Sequence, residues 1–146
     1  MIRNVQGAAM TAHDDKAVVI QTLRDYYAAS NKHDLAGMVS YYHEPVMFIT
    51  AQGVASVATH ADAARRLTQF FERLRALGVV RTDWDGVHVK QLSDTLAVAG
   101  IGLVRYGADG RELERVGWTY LLQNTAGGWK IAVLASHPPD TVLKVA

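Results

Sequence analysis

Six histidines, fourteen acidic residues and no cysteine set the reactive inventory of this chain of 146 residues. Without a thiol there is no disulfide, no thiolate nucleophile and no cysteine-ligated zinc. His43-Glu44 opens like the zinc-protease helix His-Glu-x-x-His, but Met47 holds the second histidine position and Pro45 stands where that helix would have to run. No metal site is expected, and His43 reads as part of a helix-to-strand junction. His13, His33, His60, His88 and His137 are scattered without ligand spacing. Gly100-Ile101-Gly102 lacks the third glycine and the following helix of a dinucleotide fingerprint, so no nucleotide cofactor is expected and the pair marks strand curvature. No serine stands in Gly-x-Ser-x-Gly, which removes the acyl-transfer elbow.

Aromatic side chains are the more informative set, because they recur on every segment from Tyr26 to Trp129. Most belong to a core, since each buries about 150–250 Å². Tyr26 is different: a hydroxyl carried on a mostly apolar helix face needs a partner, and a pocket ligand or water serves as well as a structural acceptor.

The elements that would position these groups are legible in the apolar spacing. Asp14 and Asp15 precede Ile20, Leu23 and Tyr27 at i, i+3, i+7, which predicts a first helix ending near Asn31. Asp34 caps a second, with Leu35, Met38, Val39 and Tyr42 as its stripe and Pro45 as its stop. Strands over 46–50 and 54–57 flank a Gln52-Gly53 turn. Thr59-His60-Ala61-Asp62 is a variant capping box opening a third helix, with Leu67, Phe70, Phe71, Leu74 and Leu77 buried, arginines on its wet side and Gly78 as its end. Beyond it, turn clusters separate strand-like runs over 82–91, 96–106, 111–123 and 129–137. Helices first and hairpin-linked strands after them predict an α+β domain, three N-terminal helices packed on one face of a curved antiparallel sheet with a cavity between.

This order resembles the nuclear-transport-factor-2-like superfamily, which includes SnoaL-like cyclases, steroid isomerases and scytalone dehydratase. The residues that carry the resemblance are Tyr26-Tyr27-Ala28-Ala29-Ser30-Asn31-Lys32-His33-Asp34-Leu35 at the first helix junction and Gly127-Gly128-Trp129-Lys130-Ile131 entering the last strand. It implies a cone-shaped fold over roughly residues 15–137, and it specifies fold far better than function. Compared with the steroid isomerases, the catalytic tyrosine falls on Tyr26, the general base near Thr50 and the protonated acid of the oxyanion hole near Thr119. Threonine takes no proton from carbon at neutral pH, so that mechanism lacks its base here. Compared with scytalone dehydratase, Asn31 stands where an acid is needed and His88 is alone in the meander. The resemblance also implies Tyr26, Ser30, Tyr42, Phe48, Thr50, Phe70, Trp84 and Thr119 as ligand-binding candidates. If Thr119 faces the cavity, Trp118 and Tyr120 lie on the outer sheet face, where this family commonly forms homodimers.

Hydrophobic residues at 49% and charged residues at 20% describe an ordinary globule. A net charge of +1 lacks the basic footprint of nucleic-acid binding. The longest apolar run, 96–104, is strand-length, and the first residues make no secretory signal, so a cytoplasmic protein away from membranes is expected. Residues 1–13 read as a flexible tail, 14–137 as one domain and 138–146 as a C-terminal tail. Three functions compete. The first is a binding protein for a small apolar organic ligand, with no strong catalytic constellation. The second is a SnoaL-like isomerase, cyclase or dehydratase in which Tyr26 polarises a carbonyl and His137 or His88 moves the proton. The third is a non-catalytic interaction module whose cavity is filled by its own side chains. A homodimer is expected through the outer sheet face, since Val116 to Gln123 is apolar on both sides; the alternative is that the segment after Pro138 covers that face.

Overall fold

A computed structural model describes residues 14–145, so the tail over 1–13 and the terminal Ala146 lie outside the described residues. The elements, in chain order, are α1 (Lys16–Asn31), α2 (Leu35–Val39), β1 (Tyr42–Thr50), β2 (Gly53–Val57), α3 (His60–Leu77), β3 (Val79–Gln91), β4 (Leu96–Gly107), β5 (Glu112–Thr125), β6 (Gly128–His137) and a 3-10 turn, Pro139–Thr141. Helix α1 buries Val19, Leu23, Tyr26 and Tyr27, whereas Ile20 of the expected stripe is only partly buried. Asp15 stands at its N-cap without capping it. Its carboxylate instead accepts from Trp129 Nε1 at 3.0 Å, and its backbone N–H donates to Gln91 Oε1 at 2.8 Å, tying the start of the helix to β6 and β3.

Asp34 does cap α2, accepting from the Gly37 N–H at 3.0 Å. The helix ends at Val39, so Tyr42 belongs to β1 and Pro45 lies within that strand instead of stopping a helix. In β1 the Tyr42 side chain is 1% exposed, a burial that outweighs the helical spacing read from sequence. Helix α3 keeps both predicted ends: Thr59 accepts from the Asp62 N–H at 3.1 Å, and Gly78 takes φ +86°, a left-handed value glycine adopts without strain. Its buried line is Ala63, Leu67, Phe71 and Leu74. Leu77, expected in that stripe, is 49% exposed as the last helical residue before the Gly78 cap. Among the described residues no helix is long and apolar enough to cross a membrane.

The six strands form one sheet in the order β2-β1-β6-β5-β4-β3. It is mixed, not wholly antiparallel: β1 and β6 run parallel, with Tyr42 opposite Ile131 and Met47 opposite Val133. Every other neighbouring pair is antiparallel. The two hairpin systems are locally encoded, but their junction joins strands far apart in sequence, where no turn dictates direction.

Strand alternation decides the two faces. Ala97, Ala99, Ile101, Leu103 and Arg105 of β4 face the helices, opposite Leu122, Tyr120, Trp118, Val116 and Glu114 of β5. Gly100, Gly102, Gly117 and Thr119 therefore lie on the outer face. A Cβ on Gly100 would sit 2.7 Å from Leu143 Cβ, and one on Gly117 would sit 2.8 Å from the Pro138 carbonyl oxygen. These glycines admit the C-terminal segment, which crosses the outer face and donates from Val145 N–H to His88 Nδ1 at 3.4 Å. Trp118 and Tyr120, expected on that outer face as a dimer surface, point inward.

Candidate functional site

Between α1, α3 and the inner face of the sheet lies a partly open cavity of about 320 Å³, within the range of small-molecule sites. Tyr26, Ser30, Tyr42, Phe48, Thr50 and Phe70 line it, from the first and third helices and from β1. Trp84 does not: it packs edge-on against Tyr27 at 5.9 Å with the Arg24 guanidinium over its ring at 4.9 Å. Thr119 does not either, since it stands on the outer face and donates to His137 Nε2 at 2.9 Å.

The cavity also takes in Tyr27, Tyr120, Trp118, Arg66, Arg73 and Arg105, which the sequence reading left out. Trp118 and Tyr120 were lost to a one-residue parity choice, which exchanges every side chain of a strand between faces. A signal existed, because the glycine-bearing face of β5 is the one that can accept a closely packed chain. Arg105 follows Ala97, Ala99, Ile101 and Leu103 at strand period, so its parity alone places it inside.

Four tyrosine hydroxyls meet in two pairs. Tyr26 and Tyr42 are 2.5 Å apart at their oxygens, and Tyr27 bonds Tyr120. All four side chains are buried. In each pair one hydroxyl donates to the other, which leaves the accepting hydroxyl with its own O–H to offer. Burial is the largest influence on these phenols and pushes their pKa values up, well above the ordinary phenol range for Tyr42 and Tyr120. They are neutral donors at physiological pH, able to polarise a ligand oxygen and unable to act as bases. Trp118 stacks parallel to Tyr120 with ring centroids 6.0 Å apart, extending one flat aromatic wall.

No aspartate, glutamate or histidine is among the described residues lining this cavity. The histidines considered as proton carriers stand on the outer face: His137 donates from Nδ1 to the Pro138 carbonyl at 3.0 Å, and His88 accepts from Val145. His43 and His60 serve local backbone, donating to the Pro45 and Tyr42 carbonyls at 2.9 Å each. Asn31 clamps Thr82 with two 3.0 Å hydrogen bonds, one to the carbonyl and one from the N–H, holding the end of α1 against β3. Among the described residues no three His, Asp or Glu side chains are grouped to hold a metal ion.

A family model described as NTF2-like protein (DUF6841) matches residues 14–139. No curated protein matches the sequence. Solved structures match in fold at low identity. An NTF2-like protein with a cystatin-like fold from Novosphingobium aromaticivorans superposes with a TM-score of 0.74 at 14% identity, covering 97% of this chain and 94% of that one. A putative aromatic ring hydroxylase from the same organism gives 0.67 at 15% identity, covering 90% and 94%. A ketosteroid isomerase-like protein from Erwinia carotovora atroseptica gives 0.60 at 18% identity, covering 85% and 95%.

Proposed function

The chain belongs to the NTF2-like family, and from that membership and the make-up of its cavity we propose that it is a small-molecule-binding protein, its pocket taking a largely apolar organic ligand without acid–base catalysis. The observation that carries this reading is the lining itself: a largely aromatic and aliphatic wall whose polar groups are hydroxyls, the Gln69 amide and three arginines, with no carboxylate or imidazole among the described lining residues. A cavity already filled by its own side chains would favour an interaction module; about 320 Å³ of open space speaks for a ligand. The phenols orient a ligand oxygen by donating to it, while Phe48, Leu67, Phe70 and Leu103 cover its hydrocarbon body.

Methyl naphthyl ketone, a flat uncharged carbonyl compound, is a suitable probe. It should bind the full chain saturably at one site, quench tryptophan fluorescence through Trp118 and be recovered unchanged. Tyr26→Phe should weaken that binding. A linear, non-saturating response would refute the binding reading, and conversion of the probe would refute the absence of catalysis. A homodimer is proposed only through the part of the outer sheet face that the C-terminal segment leaves open, where Leu96 and Leu121 are 38% and 36% exposed. Sedimentation velocity tests it, and a folded monomer at micromolar concentration would refute it.

A further inference from the structure

The charged groups of the cavity are unbalanced, with arginines in its lining and no described carboxylate beside them there. Arg66, Arg73 and Arg105 line it. Glu114, opposite Arg105 on β5, lies 2.5 Å from Arg105 Nη1 and 3.6 Å from Arg73 Nη1. One acid at the margin thus stands against three guanidinium groups. Arg66 has its guanidinium over the Phe48 ring at 4.9 Å, and Arg105 holds its own 5.3 Å from the centre of Phe70. In a cleft with apolar walls such an excess focuses positive potential on whatever enters.

Arg105 carries the decisive detail. Its residue is 3% exposed, and only its Nη1 end meets Glu114. Its Nε–H has no acceptor among the described residues, and neither does the indole N–H of Trp118 on the same cavity wall. Both groups can only donate. A buried donor without an acceptor is costly, and its complement is an oxygen with lone pairs, best of all a charged one. The positive charge of Arg105 also reaches the Tyr26 and Tyr27 hydroxyls, where it opposes the effect of burial by favouring negative charge. The charge on this side of the cavity thus favours an incoming anion.

We propose that the occupant is a small, mainly hydrocarbon organic acid, whose carboxylate pairs with the Arg105 guanidinium while its ring or chain lies between Phe48, Phe70 and Leu103. This rests on the ligand-binding reading above and adds the charge of the ligand to it. An inorganic anion would meet the guanidinium but leave the apolar wall wet, so a bare phosphate is the poorer fit.

Naphthoate and methyl naphthyl ketone share one shape and differ in charge, so the pair isolates the carboxylate. Naphthoate should bind the wild-type chain about tenfold more tightly than the ketone, the gain expected of one charge-assisted hydrogen bond. Arg105→Lys keeps the charge but loses the planar donor fork of the guanidinium, and its ratio of naphthoate to ketone affinity should fall by most of that tenfold. Isotope-edited NMR of the arginine Nε–H groups makes the test independent of whether that variant folds: the Arg105 resonance of the wild type should shift with naphthoate and not with the ketone. Ketone binding equal to naphthoate binding overturns the organic-acid assignment and leaves the pocket intact. Binding of neither overturns both readings. Inorganic phosphate displacing naphthoate at comparable concentration, or an Arg105 resonance unmoved by naphthoate, overturns the assignment as well.

Discussion

Removing one hydroxyl from the Tyr27–Tyr120 pair should expose how tightly the polar wall of the cavity is coupled. Tyr120 is 1% and Tyr27 7% exposed, and their hydroxyls join α1 to β5. In Tyr120→Phe the Tyr27 hydroxyl stays buried without its partner, so the expected loss is that of an unsatisfied polar group, about 1–3 kcal/mol. Tyr27→Phe strands the Tyr120 hydroxyl and should lose a similar amount. The double variant Tyr27→Phe/Tyr120→Phe removes both polar groups and keeps both rings, including the edge contact of Tyr27 with Trp84 at 5.9 Å. Its loss should fall short of the summed single losses by about 1–3 kcal/mol. For a domain of this length each kcal/mol corresponds to roughly 2–4 °C in Tm. Urea unfolding followed by tryptophan fluorescence gives all four free energies, with an unchanged m value as the check that the states compared are alike. Losses that add to within about 0.5 kcal/mol would show the two hydroxyls to be independent and would refute the coupled pair.

Phe71 is 8% exposed and packs on Phe70 and His33 with ring centroids 5.8 and 5.0 Å away, so Phe71→Ala should destabilise by about 3–5 kcal/mol. Phe70 is only half-buried on the cavity wall, and Phe70→Ala should cost no more than about half as much while altering ligand affinity; equal losses in urea unfolding would refute the difference. Alkaline pH should unfold the chain through its buried phenols. Burial raises the pKa of Tyr26, Tyr27, Tyr42 and Tyr120 in the folded state. Their stabilising share is therefore complete below the unfolded value near 10 and is lost above it, by about 1.4 kcal/mol per pH unit for each tyrosine. Phenolate absorbance of these four should rise together with the unfolding signal, and ionisation within the folded state would refute it.

Arrangement along the chain was legible in the sequence because its signals are local. Helical period and caps place α1 and α3, since Thr59 and Gly78 act on backbone groups within a few residues of themselves. The hairpins of the meander follow from turn residues between strand-like runs. Tyr26 on the cavity also follows from one helix face, and Ser30 lies one turn further on the same side.

Relations across the fold were decided only by tertiary structure. The parity of β5 depends on what covers each face, and the segment that covers the outer one, with Leu143 over Gly100, comes after the last strand. That packing turns Trp118 and Tyr120 inward and Thr119 outward. The parallel β1–β6 pairing joins the ends of two hairpin systems with no shared turn. Arg105 gains its meaning from Glu114, nine residues away, and from helix α3, because a buried guanidinium is defined by which of its N–H groups find acceptors. Periodicity records which side chains share a face, whereas the partner of that face is set by the free energy of packing the whole chain at once.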